Sequence, residues 1–294
     1  MNSAHNRKTR GLALAMFGAI LLTPDTLFMR LSELDGFSML IWRGGLSGIA
    51  YFFIWTLFIW RVERQVPNVL TANFLTIVLC QMFNATLFSL AIAIAPVAIV
   101  LIGVATVPIF AAIFSRIILG ETLSNLTLVT TVLVIIGIGI SVLDHDDSKI
   151  VLSADTLQGA ILGLGVAITL AMNFTIIRKD KNVPFVLAIS IGALLAAALG
   201  VVCADTLYLP NLQSTAAIAV TGIIILPLSF VTLSYAARFV PSSTVSLIML
   251  LETVLGPLWI WWGIGEAPTN GMLIGGGVVI ICLTGFLIKE SKGN

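Results

Sequence analysis

Charged residues are scarce in this sequence, and their scarcity excludes most soluble folds. Only 10% of the 294 residues are Asp, Glu, Lys or Arg, whereas 59% are hydrophobic and the mean hydropathy is +1.09. A water-soluble domain needs more polar residues than this to cover its surface. The net charge of +1 also provides no field that would attract nucleic acid. We therefore expect the chain to lie in a lipid bilayer.

Histidine and cysteine are rare as well. The two histidines, His5 and His145, fall outside the long apolar runs, which leaves no buried imidazole for a metal site or a catalytic serine. No lysine lies inside an apolar run, so a Schiff base to a buried cofactor is excluded. The three cysteines lack the spacing of a disulfide or zinc site. We therefore predict that the protein is not an enzyme and needs no metal or cofactor.

Long apolar runs fill most of the chain. A hydrocarbon core about 30 Å thick requires about 20 helical residues. The sequence therefore predicts an all-α membrane protein with ten transmembrane helices, at approximately residues 11–30, 37–60, 70–92, 97–119, 124–143, 157–177, 184–204, 215–237, 243–263 and 270–288. The first run lacks a small-residue cleavage motif, which favours a membrane helix over a signal peptide.

The basic residues fall mainly on one side of this arrangement. With a cytoplasmic N-terminus, 12 of the 15 Lys and Arg residues lie at cytoplasmic helix ends. Arg30 and Lys149 lie outside, and Arg43 lies within a helix. The acidic segment Asp144–Asp147 also falls outside. The positive-inside rule therefore predicts that both termini are cytoplasmic, which requires an even number of helices.

The second half of the chain repeats the first. Two shifts, of 145 and 148 residues, place similar residues on one another: Pro96 on Pro241, Gly120-Glu121 on Gly265-Glu266, Asn84 on Ser229, Asp25 on Asn173 and Arg30 on Arg178. An acidic linker, residues 144–156, separates repeat 1–143 from repeat 157–294. Because five helices are an odd number, the second repeat must be inverted relative to the first. We therefore predict one membrane domain of two inverted five-helix repeats, with Gly120 and Gly265 ending helices 4 and 9.

This organisation resembles the drug/metabolite transporter superfamily, EamA type. The matching segments are Phe37–Arg43 early in helix 2, Ala95-Pro96 before helix 4 and Gly120-Glu121 after it. Within the superfamily the chain looks most like YddG-type amino acid exporters, although Thr23-Pro24-Asp25 replaces the tryptophan-glycine pair common in helix 1. The resemblance implies a multi-pass transporter of the bacterial inner membrane that exports small metabolites such as amino acids by alternating access.

Other cargoes and roles stay open at this stage. A transporter of the same fold for drug cations, nucleobases or lipids is the main alternative, followed by a structural membrane subunit. A channel is disfavoured because no ring of pore-lining charges repeats in the sequence. Protons are a candidate coupling ion. GxxxG motifs serve packing within one chain more often than dimerisation, so we expect a monomer or a weak dimer.

Three charged residues lie inside predicted helices and away from their ends, in the hydrocarbon, where charge is costly and indicates function or pairing. We expect Asp25 and Arg43 to form an ion pair in the outer third of the membrane, either as a structural latch or as part of a gate. Glu252 lies near the middle of helix 9, five residues before Pro257, and low dielectric disfavours its charged form. It is a candidate to bind a proton or the amino group of a substrate; the alternative is a hydrogen bond across helices.

Further candidates for the substrate cavity are polar residues at a similar depth, the prolines that kink their helices, and one aromatic wall residue: Gln81, Asn84, Thr106, Pro108, Pro227, Ser229, Thr253 and Trp259. Prolines free backbone carbonyls, which membrane helices tolerate at a cavity. For each polar residue taken singly, the alternative is a hydrogen bond between helices worth about 0.6 kcal/mol. Their convergence at one depth favours a cavity.

Overall fold

The computed structural model describes residues 2–59, 69, 71–95, 97–121, 124–143, 154–204, 210–265 and 270–292. Within these ranges all regular structure is helical, and no strand occurs, so the predicted all-α class is confirmed. Pro96, Glu266 and residues 144–153 of the predicted linker lie outside the described residues.

Fourteen helices are described in these ranges: α1 Asn2–Leu22, α2 Asp25–Leu31, α3 Gly36–Ile54, α4 Ala72–Ile94, α5 Val97–Val104, α6 Val107–Phe114, α7 Asn125–Leu143, α8 Ala154–Lys179, α9 Phe185–Cys203, α10 Leu212–Ala219, α11 Leu226–Ala237, α12 Ser242–Met249, α13 Leu251–Ile264 and α14 Asn270–Lys292. Wider π-helical turns continue three of them, at Trp55–Ile59, Ser115–Leu119 and Val220–Ile225.

Eight helical segments in the described residues are long and apolar enough to cross a membrane. Two shorter apolar helices, Asn125–Ile138 and Leu273–Lys289, lie where the sequence predicts helices 5 and 10. Large apolar side chains cover the outside of the bundle, as with Val202, which is 82% exposed, and Ile117, which is 74% exposed. Such a surface fits lipid better than water. These features indicate a multi-pass membrane protein.

Three membrane segments are broken in the middle. The first breaks at Thr23-Pro24, between α1 and α2, and the fourth breaks at Ala105-Thr106, between α5 and α6. The ninth breaks at Leu250, between α12 and α13. A shift of 145 residues places Ala105 on Leu250, so the fourth and ninth segments break at equivalent positions. The break in the first segment has no counterpart, because α8 runs through the equivalent position without interruption.

Proline explains two of these breaks. Proline has no N–H to donate, so it fits the first turn of a helix better than its interior. Pro24 immediately precedes α2, and Pro108 is the second residue of α6. Pro227 is likewise the second residue of α11, directly after the π-helical turn Val220–Ile225. The ninth segment breaks at Leu250 without a proline at that point, and its reason is not evident from the packing.

The helices pair in a pattern that treats the two halves alike. α1 packs on α11, and α8 packs on α4, so the first helix of each half lies against the third span of the other. α3 packs on α9, α6 on α12 and α7 on α14, which joins the second, fourth and fifth spans of the halves. Exchanging the two halves leaves this set of pairs unchanged.

Glycine permits the closest of these approaches. A Cβ atom at Gly163 of α8 would lie 2.6 Å from the Val100 carbonyl oxygen, and one at Gly48 of α3 would lie 2.7 Å from Leu194. Gly163 belongs to the motif Gly159-x-x-x-Gly163 and Gly48 to the motif Gly44-x-x-x-Gly48, so these two GxxxG motifs pack helices within the chain, as the sequence predicts. Gly120 and Gly265 adopt left-handed φ angles of 67° and 84° and end their helices, which confirms their predicted role as C-caps.

Candidate functional site

Arg43 and Asp25 form a buried ion pair beside the break in the first membrane segment. The Arg43 Nη2 donates a hydrogen bond to the Asp25 Oδ2 at 2.5 Å, and the two residues are only 7% and 1% exposed. The Arg43 guanidinium also lies 5.4 Å from the centroid of the Phe88 ring. The pair joins α2 to α3, while the aromatic contact joins α3 to α4. Three segments of the first half therefore meet at this charge pair.

The broken helix places the Asp25 carboxylate where negative charge is favoured. Asp25 is the first residue of α2, and the N-terminal turn of a helix carries partial positive charge. The break itself is held from both sides. The Thr23 hydroxyl donates to the Ile20 carbonyl at 2.8 Å, and the Trp259 indole donates to the Thr23 hydroxyl at 2.9 Å. The ninth segment thus fixes the break in the first.

A cavity opens next to this ion pair, between the two halves of the chain. Its polar lining residues come from four membrane segments: Asp25, Arg43, Ser47, Tyr51, Gln81, Asn84, Ser89 and Glu252. Its apolar walls include Leu40, Phe88, Leu170 and Phe230. Counted as space that the centre of a water molecule can occupy, its volume is about 50 Å³, which is room for about four waters. A larger molecule would enter only if the halves moved apart.

The repeat is visible in the walls of this cavity. The two shifts that relate the halves place four lining residues on four others: Leu22 on Leu170 by the 148-residue shift, and Gln81 on Leu226, Ala85 on Phe230 and Val104 on Met249 by the 145-residue shift. Equivalent positions from both halves therefore surround the same space.

The breaks in all three segments lie at the cavity. Leu22 and Asp25 line it on either side of the first break, and Val104 lines it at the end of α5. Met249 and Glu252 line the cavity on either side of the break in the ninth segment. Broken helices expose backbone N–H and C=O groups that continuous helices use internally. The cavity is therefore the place where the backbone and the polar side chains can both meet a ligand.

Several polar atoms in the lining have bonding capacity left over. The Asp25 Oδ1, the Arg43 Nε and the Gln81 Oε1 are buried without a hydrogen-bond partner among the described residues. Asn84 makes only a long hydrogen bond, 3.5 Å from its Nδ2 to the Val166 carbonyl. A ligand with both donors and acceptors could satisfy these atoms. Buried polar atoms that lack a partner are otherwise uncommon in native proteins.

Glu252 lies in the same cavity as the ion pair. In the sequence no basic residue lies near Glu252 on helix 9, but in the fold Arg43 and Asp25 line the same space. Glu252 is only 7% exposed and lies in the first turn of α13, where the helix dipole favours negative charge. Among the described residues, no hydrogen bond reaches its carboxylate. Two carboxylates and one guanidinium thus share one buried space.

The other sequence candidates lie outside the cavity lining. The Thr106 hydroxyl donates to the Gly103 carbonyl at 2.6 Å, and the Ser229 hydroxyl donates to the Ile225 carbonyl at 2.5 Å. Both hydroxyls therefore bond a backbone carbonyl three or four residues earlier in the chain. Pro108 and Pro227 lie in the first turns of α6 and α11. Thr253 is partly buried just after the break at Leu250, and the Trp259 indole bonds Thr23. The candidates that do not line the described cavity are Thr106, Pro108, Pro227, Ser229, Thr253 and Trp259.

Three polar lining residues were not among the sequence candidates. Ser47 and Tyr51 follow Arg43 at intervals of four, so all three lie on one face of α3, and that spacing was the available signal. The Tyr51 hydroxyl donates to the Leu226 carbonyl at 3.0 Å, which ties α3 to the start of α11. Ser89 follows Ala85 at the same interval on α4 and is 1% exposed.

Residues 9–143 match the model of the EamA-like transporter family. The matched region includes the ion pair, Gln81 and Asn84. No curated protein matches the chain. Among solved structures, 29 chains match. One of them, a crystal structure of a protein 14% identical in sequence, covers 97% of this chain and 98% of its own, with a TM-score of 0.78. At this identity the similarity shows a shared fold alone.

Proposed function

We propose that the protein is a secondary transporter that exports small metabolites, amino acids above all, across the bacterial inner membrane by alternating access. The observation that carries the proposal is the cavity, where three broken membrane segments, a buried ion pair and Glu252 meet between the two halves. The family match over residues 9–143 supports membrane transport. Transporters place their substrate sites at broken helices of this kind.

The proposed topology is ten helices in two inverted repeats, residues 1–143 and 157–294, with both termini cytoplasmic. The distribution of basic residues supports the orientation. The exchange-symmetric pairing of helices and the four equivalent pairs in the cavity wall support the repeat. In this arrangement the cavity alternates its opening between the two membrane faces as the halves move against each other.

A zwitterion suits the polar atoms of the cavity. The Asp25 Oδ1 and the Glu252 carboxylate can accept hydrogen bonds from an ammonium group, and the Arg43 Nε can donate one to a carboxylate. Phe88 and Phe230 provide apolar wall for a side chain. An amino acid carries these three features within a few ångströms. The same contacts reject a simple anion, because two carboxylates outnumber one guanidinium.

A drug cation is the second candidate, and the same charge balance supports it. If Arg43 stays committed to Asp25, Glu252 is left to attract a positive charge without a matching site for a carboxylate. The two candidates differ in whether Arg43 contacts the substrate. Competition between an amino acid and its decarboxylated amine distinguishes them, because only the amino acid needs the guanidinium.

Counterflow in proteoliposomes tests the proposed function. Vesicles containing the purified chain are loaded with unlabelled substrate and given labelled phenylalanine, leucine or threonine, with a drug cation and a sugar as comparisons. We expect accumulation of at least one amino acid and none of the sugar. Accumulation of the cation alone would replace the amino acid proposal, and no counterflow of any compound would contradict transport.

A further inference from the structure

Two buried polar residues outside the cavity have unpartnered atoms. Asn173 on α8 is 1% exposed, and neither its Nδ2 nor its Oδ1 has a hydrogen-bond partner among the described residues. Ser234 on α11 is 0% exposed, and its hydroxyl is also unpartnered within that part of the chain. Burying a polar group without a hydrogen-bond partner costs free energy, so these two residues do not stabilise this conformation through their polar atoms.

Both residues occupy positions equivalent to polar lining residues of the cavity. The 148-residue shift places Asp25 on Asn173, and the 145-residue shift places Ser89 on Ser234. Asp25 and Ser89 line the cavity in this conformation, whereas Asn173 and Ser234 do not. The symmetry of the four equivalent wall pairs therefore ends at these two positions.

Asn173 and Ser234 lie at a similar level on α8 and α11, beyond the residues that line the cavity. Leu170 of α8 and Phe230 of α11 both line the cavity. Further along the same two helices, the Arg178 Nη1 donates to the Ala237 carbonyl at 3.5 Å. The helices therefore run together in one direction from the cavity towards Arg178. Asn173 and Ser234 lie between these two levels, about one helical turn past the cavity.

The side chains of Phe185, Tyr235 and Arg238 form a stack next to the end of α11. The Arg238 guanidinium lies 4.6 Å from the centroid of the Phe185 ring and donates to the Val183 carbonyl at 2.8 Å. The Phe185 and Tyr235 rings meet edge to face, with centroids 4.9 Å apart. This stack joins the end of α11 to the start of α9. Arg238 lies about one helical turn past Ser234, towards the membrane face that we propose to be cytoplasmic.

We propose that Asn173 and Ser234 form a second polar contact point for the substrate, which opens when the cavity faces the opposite side of the membrane. This inference rests on the proposed transport function. In the opposite-facing state the two residues occupy the place that Asp25 and Ser89 occupy now, and their free atoms hydrogen-bond the passing substrate or its water. The contact point is uncharged, because Asn173 replaces Asp25 and Ile191 stands where the shift places Arg43. It therefore binds more weakly than the charged cavity.

Apolar substitution tests the proposal because transport should fall while the stability of the fold does not. Asn173→Leu and Ser234→Ala remove unpartnered buried atoms, so the melting temperature should rise or stay constant. Counterflow by the same variants should fall roughly tenfold, since the substrate loses a hydrogen bond on its path. The matched control is Thr76→Ala on α4, whose hydroxyl donates to its own helix at the Ala72 carbonyl, and it should transport like the parent. Undiminished counterflow by both variants would overturn the proposal.

Cysteine labelling tests the geometry independently. In a background where Cys80, Cys203 and Cys282 are alanine, single cysteines at Asn173 and Ser234 are exposed to a membrane-impermeant thiol reagent on the face bearing Arg178. We expect modification roughly tenfold faster than at Ala171→Cys and Ala236→Cys, which occupy buried positions on the same helices. Ser89→Cys should react from the opposite face. Active transport with labelling at the control rate would refute the second contact point alone, whereas absent counterflow in the parent protein would refute the proposed function.

Discussion

Arg43 holds Asp25 beside the break in the first membrane segment, with 2.5 Å between the Nη2 and Oδ2 atoms. The contact lies at the edge of the cavity and leaves the Asp25 Oδ1 and the Arg43 Nε without partners. One atom of each group therefore holds α2 against α3, and another atom has bonding capacity left over. If a substrate binds in the cavity as we propose, it can use these atoms, and the pair would then serve both as a latch and in recognition.

Replacing Arg43 with alanine should destabilise the fold and abolish transport. Loss of one partner leaves a buried charge uncompensated, which costs about 3–5 kcal/mol in buried pairs. Thermal unfolding in detergent measures the loss. The double variant Asp25→Asn, Arg43→Gln should recover part of the stability, because neither charge remains, but it should not recover counterflow. Unchanged stability in Arg43→Ala would contradict the role of the pair.

Glu252→Gln should remove any response of transport to an imposed pH gradient. The amide keeps the size of the side chain but can neither take up a proton nor carry a negative charge. Counterflow is measured with and without a gradient, in the parent and the variant. Ser229→Ala, which alters a hydroxyl bonded within its own helix, serves as the matched control. Equal transport by Glu252→Gln and the parent under all gradients would show that Glu252 only packs.

Gly163→Ala should weaken the contact between α8 and α5. The new Cβ would lie 2.6 Å from the Val100 carbonyl oxygen, so the helices must separate, at a cost of about 1–3 kcal/mol. Gly277→Ala on α14 is the control, because no described residue outside the backbone of its own helix lies within 4 Å of its Cβ position. That substitution should be neutral or stabilising by up to about 1 kcal/mol, since alanine favours helix. Equal melting temperatures for both variants would contradict the packing described here.

Asp35 should stabilise the start of α3 in a pH-dependent way. Burial alone would raise the pKa of its carboxyl, but hydrogen bonds from the Ser38 hydroxyl and from the Ser38 and Phe37 N–H groups outweigh it and lower the pKa. Asp35→Ala should cost about 0.5–2 kcal/mol at neutral pH, as helix caps do. A depressed folded pKa contributes stability above the unfolded pKa, near 3.8, and loses it as pH falls through the folded value. The difference between variant and parent should therefore shrink in acid; a constant difference would contradict this cap.

The general architecture followed from the sequence because hydrocarbon imposes simple rules. Helix lengths, the positions of glycine caps and the contact of Asp25 with Arg43 each depend on one strong requirement: span, left-handed backbone or charge pairing. The break at Leu250 and the lining by Tyr51 and Ser89 were harder to anticipate. They depend on how helices rotate against one another, and hydropathy does not record the rotation of a helix that is apolar on every side.

The polar candidates illustrate the same limit. Gln81 and Ser229 have similar depth in the sequence, yet Gln81 faces the cavity and Ser229 bonds its own helix. A hydroxyl can reach the carbonyl three or four residues earlier, whereas an amide is too long to do so easily. Glu252 breaks the repeat, since the equivalent residue is Val107. That asymmetry was visible in the sequence, but the shared space with Arg43 became evident only from the fold.

The most direct test of the account is substrate binding at the cavity. Counterflow of the best labelled amino acid is compared between the parent, Gln81→Leu in the cavity wall and Thr76→Ala one and a half turns away on the same helix. The account predicts that Gln81→Leu raises the concentration needed for half-maximal counterflow by roughly tenfold, while Thr76→Ala leaves it unchanged. Equal values for all three proteins would show that the substrate passes elsewhere and would contradict the cavity as the transport site.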